Sequence, residues 1–224
     1  MKPFFTVKKL LKVKLQNFQK QVIVIDFKIP YFAQWESPNL IEKIINKKVS
    51  AKSDPNWRNS GAKTKEEYEL WSWNSCGMAC FKMILFYLLK KNVPIVTLGK
   101  KCLEYGGYKG TKLEGLYYYP FLEFIKKEYN LSGKVISPMT IFDIANEMKK
   151  GSIIIASVSH LIRDETKTGE KGGHLVLITG INTKNKTITL HNPSGIDLKT
   201  QENFKTTMDN FEKHFAYRGI VVYS

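Results

Sequence analysis

Arginine is nearly missing from this 224-residue chain: of 35 basic residues only Arg58, Arg163 and Arg218 carry a guanidinium, against 20 acidic residues and a formal net charge of +15. Proteins that read nucleic acid by sequence depend on the bidentate fork of arginine, which a lysine ammonium cannot reproduce. The lysines are also scattered, as in Lys8, Lys9, Lys47, Lys48, Lys90, Lys91, Lys149 and Lys150, rather than gathered with aromatics into one patch. No nucleic-acid partner is expected, and the charge reads as a solvated surface that can also draw acidic partners. Long apolar runs are missing as well. No stretch approaches the roughly 18 apolar residues of a membrane span, and Met1 to Lys20 lacks the apolar run of a signal peptide. The expectation is a cytoplasmic protein with no integral membrane segment and with reduced thiols. Cysteine is sparse, at Cys76, Cys80 and Cys102. An odd count gives no disulfide framework. The step from Cys76 to Cys80, with no second Cys/His pair, is not the spacing of a zinc site. No metal and no organic cofactor are expected, and nothing in the sequence indicates an oligomeric state.

What is present is an ordinary globular share of apolar residues, 43% hydrophobic and 12% aromatic, enough for one domain with a sizeable core. The chain is organised around Trp71-Ser72-Trp73-Asn74-Ser75-Cys76-Gly77-Met78-Ala79-Cys80 and the apolar run Phe81 to Leu89 behind it. Asn74 or Ser75 can cap a helix start. Cys76, Cys80, Met83 and Tyr87 then share one helix face, and Ile84, Leu85, Phe86, Leu88 and Leu89 fill the others, which makes this helix a buried one. Lys90 and Lys91 close it at the negative end of its dipole. Cys76 falls in the first turn, where the dipole and free N–H groups favour thiolate and lower a thiol pKa. It is a candidate nucleophile. Its bland alternative is a small buried hydrophobe, the reading given to Cys80.

The rest of the chain divides by period. Residues 1–21 form a basic arm, and 22–224 read as a single domain with an insertion at about 36–72 that makes a lid or substrate wall. Val22 to Ile29 reads as a strand ending at Pro30. Ser37-Pro38 opens a helix to about Lys47, Lys48 to Tyr68 is a polar surface segment, and Thr64 to Leu70 is a short helix. Further helical pieces lie between Val93 and Tyr108, from Glu114 to Tyr129 with Pro120 marking its start or a kink, and from Pro138 to Lys150. After Gly151 the pattern turns to strands: Ser152 to Val158, His174 to Thr179, Thr187 to Leu190 and Tyr217 to Tyr223, with a helix from Thr207 to His214. Helices in the first part and strands in the last give an α+β fold on a largely antiparallel sheet.

A cysteine nucleophile needs a base, and the base needs a group to fix its tautomer. Of the four histidines, His174 opens a strand after Gly172-Gly173, and Asn192 ends the neighbouring strand, within reach of an imidazole N–H. Gln34 supplies a side-chain amide that can join the Cys76 N–H in binding an oxyanion. His160 is a reserve base. His191 faces away from Asn192 as strand neighbours do, and His214, late in a helix where a positive ring suits the dipole, is structural.

The order Gln34, Cys76, His174, Asn192, with the cysteine opening a buried helix, resembles the papain-like cysteine peptidases. The segments Ile29-Pro30-Tyr31-Phe32-Ala33-Gln34, Cys76-Gly77-Met78-Ala79-Cys80, Gly172-Gly173-His174-Leu175-Val176-Leu177-Ile178-Thr179-Gly180 and Asn192-Pro193 resemble more closely the bacteriocin-processing, double-glycine-leader peptidases and their stand-alone relatives. The resemblance implies a papain-like fold in which the Cys-bearing helix packs on a C-terminal antiparallel sheet. It implies Cys76 as nucleophile, His174 as general base, Asn192 as orienting residue and Gln34 as oxyanion residue, acting on a peptide or protein substrate. The orienting position is commonly Asp in that family, and Asn here brings no negative charge. Two further activities share the constellation: a transpeptidase or cyclase using the same acyl-enzyme, and a catalytically silent peptide-binding module.

Overall fold

The computed structural model describes residues 22–113, 115–164 and 166–224; the basic arm expected at 1–21 lies outside them. In chain order the elements are β1 (Val24–Asp26), α1 (Ile41–Ile45), α2 (Lys65–Asn74), α3 (Cys76–Leu89), α4 (Ile95–Glu104), α5 (Tyr118–Tyr129), β2 (Ser132–Ile136), α6 (Ile141–Lys149), β3 (Ile153–Ser159), β4 (Gly173–Asn182), β5 (Thr187–His191), β6 (Phe204–Thr207), α7 (Met208–His214) and β7 (Phe215–Tyr223). The described strands form one antiparallel sheet in the order β2-β7-β3-β4-β5-β6, with β1 added to the far end of β4. The α+β architecture read from the sequence is present. Two strands were not legible there, β2 before the strand-rich third and β6 just ahead of α7.

The sheet is buried on both faces, which explains why its central strands read as continuous apolar runs rather than alternating ones. Along β3, Ile153 and Ile155 face the layer built by α3, α4 and α5, while Ile154, Ala156 and Val158 face α6 and α7. Leu175 and Leu177 on β4, and Ile220 and Val222 on β7, keep the same division. Phe81 on α3 centres the helical layer, with edge contacts to Phe121 at 5.2 Å, Tyr129 at 5.4 Å and Phe124 at 5.6 Å between ring centroids. Rings in this edge-to-face arrangement add to the stabilisation from burial alone.

Pro120 falls in the first turn of α5, which begins at Tyr118 rather than at Glu114; a proline there lacks an N–H that the helix would leave unused. The expected helix from Ser37 is a single 3-10 turn at Pro38–Leu40 followed by the short α1, and Ser37 does not cap it. The reason lies in the segment expected to be polar surface. Asp54, 1% exposed, accepts from the Ser37 N–H (3.0 Å), the Ser37 hydroxyl (2.6 Å), the Asn56 N–H (2.9 Å) and the Tyr68 hydroxyl (2.5 Å). Trp35, Ile41, Ile44, Ala51, Trp57 and Tyr68 pack around it as a small core of their own. A buried carboxylate with four donors is satisfied by hydrogen bonds instead of a counterion.

Candidate active site

Helix α2 runs through Asn74 and α3 begins at Cys76, so Ser75 alone, at φ −96° and ψ 14°, turns one helix into the next. The cap expected from Asn74 or Ser75 is not made. The Asn74 amide donates back to the Leu70 carbonyl (2.8 Å) and the Ser75 hydroxyl back to the Trp71 carbonyl (2.6 Å). Both side chains finish α2, leaving the first-turn N–H groups of α3 without a side-chain cap where Cys76 sits.

Cys76 and His174 line one cleft, together with Trp73, Asn74, Leu116, Ser157, Leu175 and Arg218. His174 follows Gly172 and Gly173, whose φ values of +102° and +83° suit residues without a Cβ. It lies on β4 opposite Val158 of β3. Asn192 directly follows β5, and its Oδ1 accepts a hydrogen bond from His174 Nε2–H at 2.8 Å. The same oxygen accepts the backbone N–H of Ser194 at 3.1 Å. A backbone N–H can only donate, so the atom it meets is the amide oxygen, and His174 Nε2 must carry the proton that bonds to it. Nδ1 of His174 is then the ring's free acceptor. The Asn192 Nδ2 group is buried with no partner among the described residues, and the alternative amide orientation would set two donors against each other.

Gln34 is 5% exposed and does not line the cleft; it bridges its two halves from behind. Its backbone N–H donates to the Pro193 carbonyl (3.0 Å), and its side-chain Nε2 to the Ser72 carbonyl (2.8 Å), one turn before Cys76. Two neighbouring bonds hold the same segment, from Tyr31 Oη–H to the Asn192 carbonyl (3.0 Å) and from His191 Nε2–H to the Ile29 carbonyl (2.7 Å). His191 also accepts the Asn203 N–H at Nδ1 (3.0 Å), so it is a satisfied structural histidine. His160 is exposed in a short 3-10 turn and does not line the cleft. His214 is wholly buried, and its ring nitrogens have no partner among the described residues. Burial lowers its pKa, which corrects the expectation of a positive ring at the helix end. Cys80 and Cys102 are core residues; the Cys80 thiol points to the Leu175 carbonyl at 3.7 Å.

The electrostatics depart from the expected low thiol pKa. Burial pushes the Cys76 thiol up, and the N–H groups of Leu175, Gly77 and Cys76 itself only partly offset it. Burial also brings His174 down to about 4, helped by the charges of Arg163 and His160 and opposed by the bond to Asn192. Desolvation thus works against both charged forms, the thiolate and the imidazolium. Ser194 and Arg163 were not read as site residues. The Ser194 hydroxyl lies 3.1 Å from His174 Nε2, and Arg163 Nη1 holds the Ser194 carbonyl (2.7 Å) and hydroxyl (3.3 Å). The scarcity of arginine was the available signal, since two of the three, Arg163 and Arg218, stand at this site.

Residues 28–222 match the model of the Peptidase_C39-like family. The chain belongs to that family. Two solved structures are similar to this C39-like chain. The peptidase domain of Streptococcus ComA, a bi-functional ABC transporter involved in a quorum-sensing pathway, shares 13% identity at a TM-score of 0.46, covering 66% of this chain and 90% of that one. A protein from Bacillus anthracis described as a C39-like peptidase shares 14% identity at a TM-score of 0.49, covering 67% and 89%. No curated protein matches the chain. Among the described residues of this C39-like protein, no helix is long and apolar enough to cross a membrane.

Proposed function

We propose that this C39-like chain is a cysteine peptidase that cleaves an amide bond of a peptide or protein through an acyl-enzyme. The observation that carries the reading is the His174–Asn192 hydrogen bond in the tautomer fixed by Ser194, which frees Nδ1 in the cleft that Cys76 also lines. The thiol proton passes to Nδ1 as sulfur attacks the carbonyl carbon. The uncapped first-turn N–H at Cys76 receives the oxyanion, and Gln34, bonded to the Ser72 carbonyl behind the cleft, steadies the turn that presents it. The amine leaves with the proton from Nδ1, and water, activated by the same nitrogen, hydrolyses the thioester. Asn192 holds the ring through this cycle, and residues 36–72, which we read as the insertion, end at the Ser72 carbonyl that steadies Gln34.

Turnover of a mixed peptide digest, followed by mass spectrometry, tests this. Cys76→Ala should abolish cleavage with an unchanged circular dichroism spectrum and melting temperature, whereas persistent cleavage would sink the mechanism. A second reading, that of a peptide-binding module without turnover, is favoured by desolvation, which works against the thiolate at Cys76 and the imidazolium at His174. That reading requires that wild-type protein bind peptides from the digest and cut none.

A further inference from the structure

The cleft has two chemically different ends. Near Cys76 it is apolar: a Cβ on Gly77 would stand 2.7 Å from Leu116 and 3.0 Å from Leu175, and Trp73, 45% exposed, continues that wall. Near His174 it is polar and positive. Arg218 Nη2 lies 2.8 Å from the point that a Cβ on Gly172 would occupy, and the Ser157 hydroxyl lies 3.5 Å from the same point. The guanidinium therefore rests on the glycine turn that leads into His174, a place open to it only because residue 172 has no side chain.

The backbone is built to deliver Arg218 there. Between Ala156↔Gly219 and Val158↔Phe215 the β3–β7 register shifts, so that two steps on β3 face four on β7. Tyr217 takes φ +51° in this bulge, and its carbonyl accepts the Met139 N–H at 2.8 Å. Bulges beside sites commonly re-aim a side chain. Arg218 is exposed to the cleft and makes no hydrogen bond or ion pair with any described residue. In a chain that otherwise uses lysine, a guanidinium stands here, the group whose fork matches a carboxylate.

We propose that Arg218, with the Ser157 hydroxyl beside it, holds a carboxylate on the leaving-group side of the bond to be cut. The side follows from the chemistry: His174 must hand its proton to the leaving amine, and Arg218 lies on the turn that carries His174. The substrate class is a peptide whose leaving portion bears a carboxylate close to the scissile amide, either the free C-terminus or an Asp or Glu side chain. This inference rests on the hydrolase reading of the same cleft.

Two alkylating probes test it without a known substrate. Iodoacetate carries a carboxylate and iodoacetamide does not, and each loses iodide to the Cys76 thiolate. The iodoacetate-to-iodoacetamide rate ratio at Cys76, read by peptide mass spectrometry, should fall at least about fivefold in Arg218→Gln, as expected for one opposite charge removed at close range in a wet site. Arg218→Lys should restore part of it, and Lys184→Gln, on the hairpin between β4 and β5, should leave the ratio at the wild-type value. A ratio that does not change in Arg218→Gln overturns the carboxylate site while leaving the hydrolase reading standing. Failure of both reagents to modify Cys76 in the folded protein overturns both. Matched peptides then separate the sources: loss of cleavage on C-terminal amidation assigns the free carboxylate, and cleavage before Glu in an amidated peptide assigns the side chain. Cleavage of a neutral amidated peptide as fast as these, or of neither acidic peptide, overturns the proposal.

Discussion

Replacing Asn192 by Asp changes one charge at a fully buried position and leaves the shape almost untouched. Oδ1 keeps its donors, His174 Nε2–H at 2.8 Å and the Ser194 N–H at 3.1 Å. The second oxygen takes the place of an amide nitrogen that has no partner among the described residues. A full negative charge roughly 4 Å from the imidazolium centre contributes about 4 kcal/mol at an effective dielectric constant of about 20. Desolvation of the new carboxylate offsets part of this, leaving a rise of roughly one to two pKa units for His174 from its value of about 4. The sign is fixed: a carboxylate stabilises imidazolium, and imidazolium beside the thiol stabilises thiolate, so the ion pair should gain on the neutral pair at neutral pH. The assay is the iodoacetamide alkylation rate of Cys76 from pH 4 to 9, with the folded state checked by circular dichroism. Above the acid limb of this profile the variant's rate should rise severalfold at neutral pH, and the limb itself should move up with the His174 pKa by about one pH unit or more. A folded variant with the wild-type profile would refute the idea that Asn192 governs the charge on His174.

Acid should weaken the whole fold. His174, His191 and His214 are all depressed below 6.5, so the unfolded chain binds more protons than the folded one. Stability is complete above about pH 6.5 and falls as pH drops toward 4; His174 alone accounts for up to about 3 kcal/mol of that loss, measurable by urea denaturation at pH 7.5 and 4.5. Gly195→Ala would drive a Cβ into the Thr200 carbonyl, so it should cost about 2–4 kcal/mol and disturb the Asn192 loop, seen as a lower melting temperature. Tyr68→Phe removes a donor to Asp54 and an acceptor for the Glu36 N–H and should cost about 1–3 kcal/mol in the same measurement.

Some of this molecule could be read directly from its residues and some could not. The strands β3, β4 and β7 announce themselves because burial on both faces demands apolar side chains at every step. β2 does not, since Ser132-Gly133-Lys134 carries no strand pattern and is held by its pairing with Val221 to Tyr223 of β7. Cys76 and His174 were joined by chain order and by the chemistry a thiol requires, and both line one cleft. The pull on the Cys76 thiol differs from the expected one because the helix N-terminus is visible in sequence and desolvation by packing is not. Asp54 looked like surface for the same reason. Its four donors come from residues as far as 17 positions away, and no local pattern encodes them.

The place of β7 in the sheet sets when this chemistry can exist. That strand comes after every other described element in sequence, yet it lies between β2 and β3, and Arg218 reaches the cleft from it. A ribosome therefore releases the helix that opens at Cys76 long before the sheet that carries His174 can close. During synthesis the thiol has neither its imidazole partner in place nor a formed cleft to present a bond to. A chain truncated before Phe215 should leave Cys76 no more reactive than Cys102 toward iodoacetamide; selective labelling of Cys76 in that truncated chain would show that the site assembles without its last strand.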